Sequence, residues 1–311
     1  MSQTSQFLKQ KLYSPLNIPK PEIAELPMGK MEYATHGEGT PILVLHGGAG
    51  GYDQAILLFK RYIPAGYKMV CPSRPGYLRT PLETGQTVEE QADALAALLD
   101  YLKIDSITVI GISAGGLSLY PLSIRHPHKV KSIIAIDAIS GEYLIPEQTG
   151  KLAQALFMTD FSLWLTKESM IYFPETIIKN LIKADGYLDP VRIDNRVKEI
   201  IESKEQLEVI AELMYSILDY APRQVGTMND MAQGAKSTWF NFQQIKCPAL
   251  IIHGTHDADV KFYHGVFAYE QLGSKRKERI WVEYGTHFCF FFAKEAPETQ
   301  ESFKNFIIKY S

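Results

Sequence analysis

Three side chains far apart in the chain are of the types that could together carry out acyl transfer: Ser113, Asp257 and His287. A serine hydroxyl is a weak nucleophile until a base takes its proton, and an imidazole serves as that base when an acid holds its tautomer. Ser113 lies in Gly111-Ile112-Ser113-Ala114-Gly115, directly after the apolar run Ile107–Ile110. At the tip of a tight strand-to-helix turn a serine needs glycine on both sides, because side chains there would collide. The helix N-terminus that follows favours developing negative charge. A helix-capping serine in an ordinary turn is the competing reading of this motif taken alone.

A second loop, His46-Gly47-Gly48-Ala49-Gly50-Gly51, also follows an apolar run, Ile42–Leu45. Small residues there let a backbone N–H approach a substrate oxygen, so the amides of Gly48 and Ala114 are the candidate oxyanion hole. A dinucleotide-binding loop fits poorly, since the third glycine of that pattern falls on Asp53. After Ala249–Ile252 come His253-Gly254-Thr255-His256-Asp257-Ala258-Asp259-Val260. Asp257 is the candidate orienting acid, Asp259 reads as a loop-stabilising carboxylate, and His256 as a solvated ring. His287, in Tyr284-Gly285-Thr286-His287-Phe288, is the sole histidine of the final segment and the candidate general base. Asp137, after Ile133–Ile136, offers an alternative acid.

These residues need a scaffold, and the chain supplies one. Short apolar runs at Ile42–Leu45, Met69–Cys71, Ile107–Ile112, Ile133–Ile136, Ala249–Ile252 and Ile280–Val282 suit strands buried on both faces of a parallel sheet. Helical patterns separate several of them, as at Val88–Leu102, and a helix over Glu298–Tyr310 closes the chain. The expectation is a doubly wound, mostly parallel α/β sheet. Between about Ser140 and Gly234 the rhythm gives way to helical patterns such as Glu205–Leu218, so 140–235 reads as an insertion into a core of 1–139 and 236–311. Within it Phe157, Phe161, Trp164, Met214 and Tyr215 could line an apolar pocket or form the insertion's own core.

Composition narrows the partners. In 311 residues, 32 Lys and Arg face 35 Asp and Glu, a balance that steers the chain toward neither nucleic acid nor anionic lipid. Cys71, Cys247 and Cys289 lack the spacing of a zinc or redox pair and read as small core residues. With no apolar run long enough to span a bilayer and no leader-like h-region, the expectation is a cytoplasmic protein, monomer or homodimer, with a small-molecule substrate and no cofactor or metal.

Taken together, the elbow at Ser113, the glycine loop at His46, the acid loop at Asp257 and the order Ser, Asp, His resemble the α/β-hydrolase family over roughly residues 25–139 and 240–310. The resemblance implies a helical cap at the insertion, and the lead-in Gly254-Thr255-His256 matches that family's usual acid loop, which favours Asp257 over Asp137. Pro72-Ser73-Arg74-Pro75-Gly76-Tyr77 resembles the loop after the family's fourth strand and is given a structural role. Similar enzymes that release N-terminal proline have proline at Ala49 and a bulky tryptophan at Ala114, so aminopeptidase activity is demoted. The resemblance implies a serine hydrolase of small apolar esters. Lyase, carbon-carbon hydrolase and perhydrolase chemistry, or a non-catalytic receptor, remain open alternatives. Pro121 is expected to kink or shorten the helix after Ser113.

Overall fold

The computed structural model describes residues 1–14, 16–144, 159–236 and 240–311. After a helix α1 (Gln3–Tyr13) comes a hairpin, β1 (Glu22–Leu26) and β2 (Gly29–Gly37), then β3 (Thr40–Leu45), α2 (Tyr52–Phe59), β4 (Tyr67–Pro72), α3 (Val88–Tyr101), β5 (Ile107–Ile112), α4 (Gly116–Arg125) and β6 (Val130–Ile136). The described residues between β6 and the next strand carry α5 (Asp160–Tyr172), α6 (Pro174–Asp185), α7 (Pro190–Glu202), α8 (Lys204–Ile217) and α9 (Gln224–Lys236). β7 (Ala249–Gly254), α10 (Tyr263–Gln271), β8 (Lys277–Val282), α11 (Cys289–Phe292) and α12 (Ala296–Tyr310) complete the chain.

Among the described residues the strands form one eight-stranded sheet in the order β1-β2-β4-β3-β5-β6-β7-β8. β1 and β2 run antiparallel to their neighbours, and the pairs from β4 to β8 are parallel. Successive strand residues point to opposite faces, and here both faces are covered. Leu43, Val109, Ile133 and Ile251 pack with residues of α3 and α4, such as Leu95 and Leu119, whereas Val44, Ile110, Ile134 and Ile252 pack with residues of α2, α11 and α12, such as Phe59, Phe290 and Phe303. Each such aliphatic side chain contributes about 1.5–3 kcal/mol relative to exposure, which is why the strands read as unbroken apolar runs. The fold is the doubly wound, mostly parallel sheet expected.

Local signals set the helix bounds. α3 starts at a capping box in which the Thr87 side chain accepts from the Glu90 amide and the Glu90 side chain accepts from the Thr87 amide, and it ends one residue before the expected Leu102. α4 continues four residues beyond Pro121, because losing one donor inside a helix buried on the sheet is outweighed by that burial. Leu8 and Leu12 of α1 join Met170, Ile178, Ile193 and Ile210 in a separate apolar cluster. The N-terminal helix is therefore stapled to α5–α8. No described helix is long and apolar enough to cross a membrane.

Candidate active site

Parallel register brings the candidate residues to one edge. Leu45 pairs with Gly111, Ile112 with Ile136, Ile136 with Ile252, and Gly254 with Val282. The loops after β3, β5, β6, β7 and β8 consequently leave the sheet at the same end, where open α/β sheets bind ligands.

The turn after β5 is as tight as its glycines imply. Ser113 has φ of 53°, in the left-handed region that L residues enter at a cost. A Cβ on Gly115 would lie 2.7 Å from the Leu45 carbonyl oxygen, and one on Gly116 would lie 2.3 Å from the Ile139 carbonyl oxygen. The backbones of β3 and of the chain beyond β6 therefore grip the elbow from two sides. Gly47 packs directly beneath the nucleophile, its Cβ position 3.3 Å from Ser113 Cβ. Gly48 is exposed with open space where a side chain would go, and Ala114 is buried beside it at the start of the helical turn.

The structure brings Ser113, His287 and Asp257 into one hydrogen-bonded chain. Ser113 Oγ is 2.9 Å from His287 Nε2, and His287 Nδ1 is 2.8 Å from Asp257 Oδ2. Asp257 Oδ1 accepts from the amides of Asp259 and Val260 at 2.8 and 2.9 Å. Burial by itself disfavours the imidazolium, but the carboxylates of Asp257 and then Asp259 outweigh it and hold the His287 pKa well above its ordinary value.

Asp137 sits differently. It is fully buried, accepts from the Gly254 amide at 2.8 Å and from the Cys289 thiol at 3.3 Å, and burial together with the neighbouring Asp257 charge pushes its carboxyl well above the carboxylate range. Its oxygens are engaged by Gly254 and Cys289, whereas Asp257 is the carboxylate bonded to His287 Nδ1.

Asp137, His253 and Asp257 also bring potential metal-ligand atoms within 4.8 Å of one another. The donor set does not suit an ion. His253 Nε2, 3.6 Å from Asp257, lies 2.7 Å from the Val260 carbonyl, which can only accept, so that nitrogen carries a proton and offers no lone pair.

Residues 40–293 match the family model described as the α/β hydrolase fold. The chain belongs to this family. As an α/β hydrolase it is 30% identical over 276 residues to an uncharacterized hydrolase, YcgS, of Bacillus subtilis (strain 168), covering 87% of this chain and 92% of that one. It is 25% identical over 278 residues to a 2-hydroxy-6-oxononadienedioate/2-hydroxy-6-oxononatrienedioate hydrolase of Dechloromonas aromatica (strain RCB), covering 86% of each. Among solved structures, an α/β hydrolase fold protein from Nakamurella multipartita superposes with a TM-score of 0.84 at 29% identity, covering 92% of this chain and 98% of that one.

The other described candidates in this hydrolase lie on α5, on α8 and in the loop after β7. Phe157 lies outside the described residues. Phe161 and Trp164 stack on each other on α5 but are 71% and 48% exposed, so their rings do not form a buried lining; Leu163, between them, is the buried residue that meets Ala49 and Tyr220. Tyr215 is half-buried, and Met214 belongs to the cluster shared with α1. His256 bonds Thr255 rather than the serine.

Sequence reasoning missed how the helices between β6 and β7 grip the site. Arg74 is fully buried, forks onto both carboxylate oxygens of Asp230 at 2.8 and 2.6 Å, and donates to the carbonyls of His46 and Gly47 at 3.2 Å. Arg223 forks onto Asp53 and donates to the Gly50 carbonyl, and Thr227 accepts from the Ala49 amide. At the other edge the Asp185 carbonyl accepts from the amides of Ala258 and His287, both at 3.1 Å, and the Tyr187 amide donates to the His256 carbonyl at 3.0 Å. Pairs so distant in sequence leave no local pattern; only the buried-type Arg74 in a Pro-Gly loop hinted at one.

Proposed function

We propose that the protein is a serine hydrolase that cleaves a small, largely apolar ester or related acyl substrate through an acyl-enzyme. The observation that carries this reading is the unbroken chain from Ser113 Oγ through His287 to Asp257. Ser113 attacks the acyl carbonyl while His287 Nε2 takes its proton. Asp257 holds the ring with Nδ1–H toward itself, and the amides of Gly48 and Ala114 face the oxyanion. His287 then hands the proton to the leaving group, and water attacks the acyl-enzyme by the same route in reverse. Ala114, Ile139, Tyr143 and Val260 cluster around the nucleophile turn and Leu163 caps Ala49, which supports an apolar acyl group. The helices α5–α9 act as a cap.

A second reading, cleavage of a carbon-carbon bond in a 2-hydroxy-6-oxo dienoate, draws on the name of the Dechloromonas relative. Turnover of p-nitrophenyl acetate, butyrate and octanoate, set beside that of a 2-hydroxy-6-oxohexa-2,4-dienoate, separates the two. We expect kcat/KM to favour the short esters. Turnover of the dienoate alone would replace the ester reading with the second.

A further inference from the structure

One carboxylate in the site is unused by this mechanism. Asp259 follows Asp257 by two positions and turns toward the opposite side of the same imidazole, its Oδ2 lying 3.4 Å from His287 Nε2. That nitrogen is the one bonded to Ser113. The other carboxylate oxygen of Asp259 is taken by Tyr143, whose hydroxyl donates to Oδ1 at 2.5 Å. Tyr143 is itself fixed: its ring packs with Ala114 and Val260, its amide donates to the Gly234 carbonyl at 2.9 Å, and a Cβ on Gly234 would sit 3.1 Å from its own. The side chain of Asp259 is 38% exposed, so solvent reaches the carboxylate beside the ring.

We propose that Asp259, steered by Tyr143, is a positioning residue for the reaction: its free oxygen faces the nitrogen of His287 that trades a proton with Ser113, and competes with the serine for that proton. The proposal rests on the serine-histidine reading given above. Two states follow from the geometry. When the ring is neutral, Nε2 presents a lone pair and accepts from Ser113, and the Asp259 charge beside it is unfavourable. Once Nε2 carries the serine proton, the same charge is an attractive second acceptor. Asp259 therefore stabilises the imidazolium of the acylation step, and equally the idle enzyme in which His287 is already protonated and cannot activate the serine.

The groups facing the ring are Asp257 at Nδ1, Asp259 at Nε2, Asp137 and Cys289 behind the acid, His253 beside Asp257, and Asp185 from α6. Burial, opposed by the His287 charge and reinforced by Asp259 and Asp257, raises the Asp185 carboxyl to about 7. Because Asp185 is a second titratable group beside the ring, the pH profile of turnover needs a further, site-specific readout.

The test is Asp259→Asn, which removes the charge but keeps the backbone amide that holds Asp257. The acid limb of kcat/KM is compared with the ring resonance of His287 by NMR, assigned from its absence in His287→Gln. A charge that favours the imidazolium keeps the ring protonated to higher pH, so removing it moves both limb and ring titration down, by about one pH unit for a partly exposed partner. Tyr143→Phe, which removes the hydroxyl that steers Asp259 but leaves its charge, moves both down by less than Asp259→Asn does. An unchanged ring titration in Asp259→Asn overturns the proposal, and so does a Tyr143→Phe shift as large as that of Asp259→Asn or larger, which would mark a packing effect. The ring readout is independent of turnover, so failure of the nucleophile assignment would show separately, as activity retained by Ser113→Ala.

Discussion

Ser113 is fixed by the sheet, whereas Asp257 and His287 stand on loops that take hydrogen bonds from the helices between β6 and β7. The elbow is clamped by carbonyls from β3 and from the residue run after β6, with 2.7 and 2.3 Å of room at Gly115 and Gly116. The acid and histidine loops instead lean on the segment 185–187, where Asp185 receives both the Ala258 and His287 amides and Gly186 bridges Asp257. Arg192, at the start of α7, adds a guanidinium 3.8 Å above the Tyr284 ring. The proposed nucleophile is thus seated in the core, and the tuning of its proposed base depends on how the proposed cap is seated. The glycine loop belongs to both, because Arg74–Asp230 and Arg223–Asp53 lock it to α9 and to the turn before it.

The largest expected effect comes from breaking the relay while leaving the elbow alone. Asp257→Asn should lower ester turnover by about 10⁴-fold, since an amide favours the wrong imidazole tautomer. Asp137→Asn should stay within about tenfold, because Asp137 bonds Gly254 and Cys289 rather than His287 and an amide oxygen preserves the acceptor toward Gly254. Steady-state kinetics with circular dichroism as the folding control checks both. A large loss confined to Asp137→Asn would move the acid to β6.

A smaller effect sharpens the contrast between core and cap. Gly186 has extended backbone that any residue adopts, yet a Cβ there would lie 2.2 Å from Thr286 Cγ2. Gly186→Ala should wedge segment 185–187 off the histidine loop and cost about 10–100-fold in kcat, as sub-ångström to ångström misplacements do. Adding Thr286→Ser removes the closer clash, the methyl, and should restore part of the loss, since the Cβ it keeps still lies 2.8 Å away. A double mutant no better than the single one would mean the seating of the segment does not govern the relay.

The sheet was legible because parallel strands buried on both faces must be apolar at every position, as Ile107–Ile112 and Ala249–Ile252 are. β1 and β2 were not read: Glu22, Glu25, Lys30 and Glu32 interrupt them, because β1 is a half-solvated edge strand and the buried Glu32 of β2 is bonded by Ser73 and Arg79. α1 escaped notice because only Leu8 and Leu12 of it are buried apolar residues. In the site, Ser113, Asp257 and His287 each carry a local signature set by tight turns at strand ends. Asp259 was read as a loop carboxylate because nothing in sequence says which face of a ring it meets, and its tie to Tyr143 spans 116 positions.

The central claim, that Ser113 is an activated nucleophile, is tested most directly by a fluorophosphonate that phosphonylates serine only when a base has its proton. Peptide mass spectrometry of the wild-type protein should place the adduct on Ser113, labelling should vanish in Ser113→Ala, and it should slow by orders of magnitude in His287→Gln with folding intact. No adduct on the wild type, an adduct on another residue, or undiminished labelling of Ser113→Ala would contradict the account.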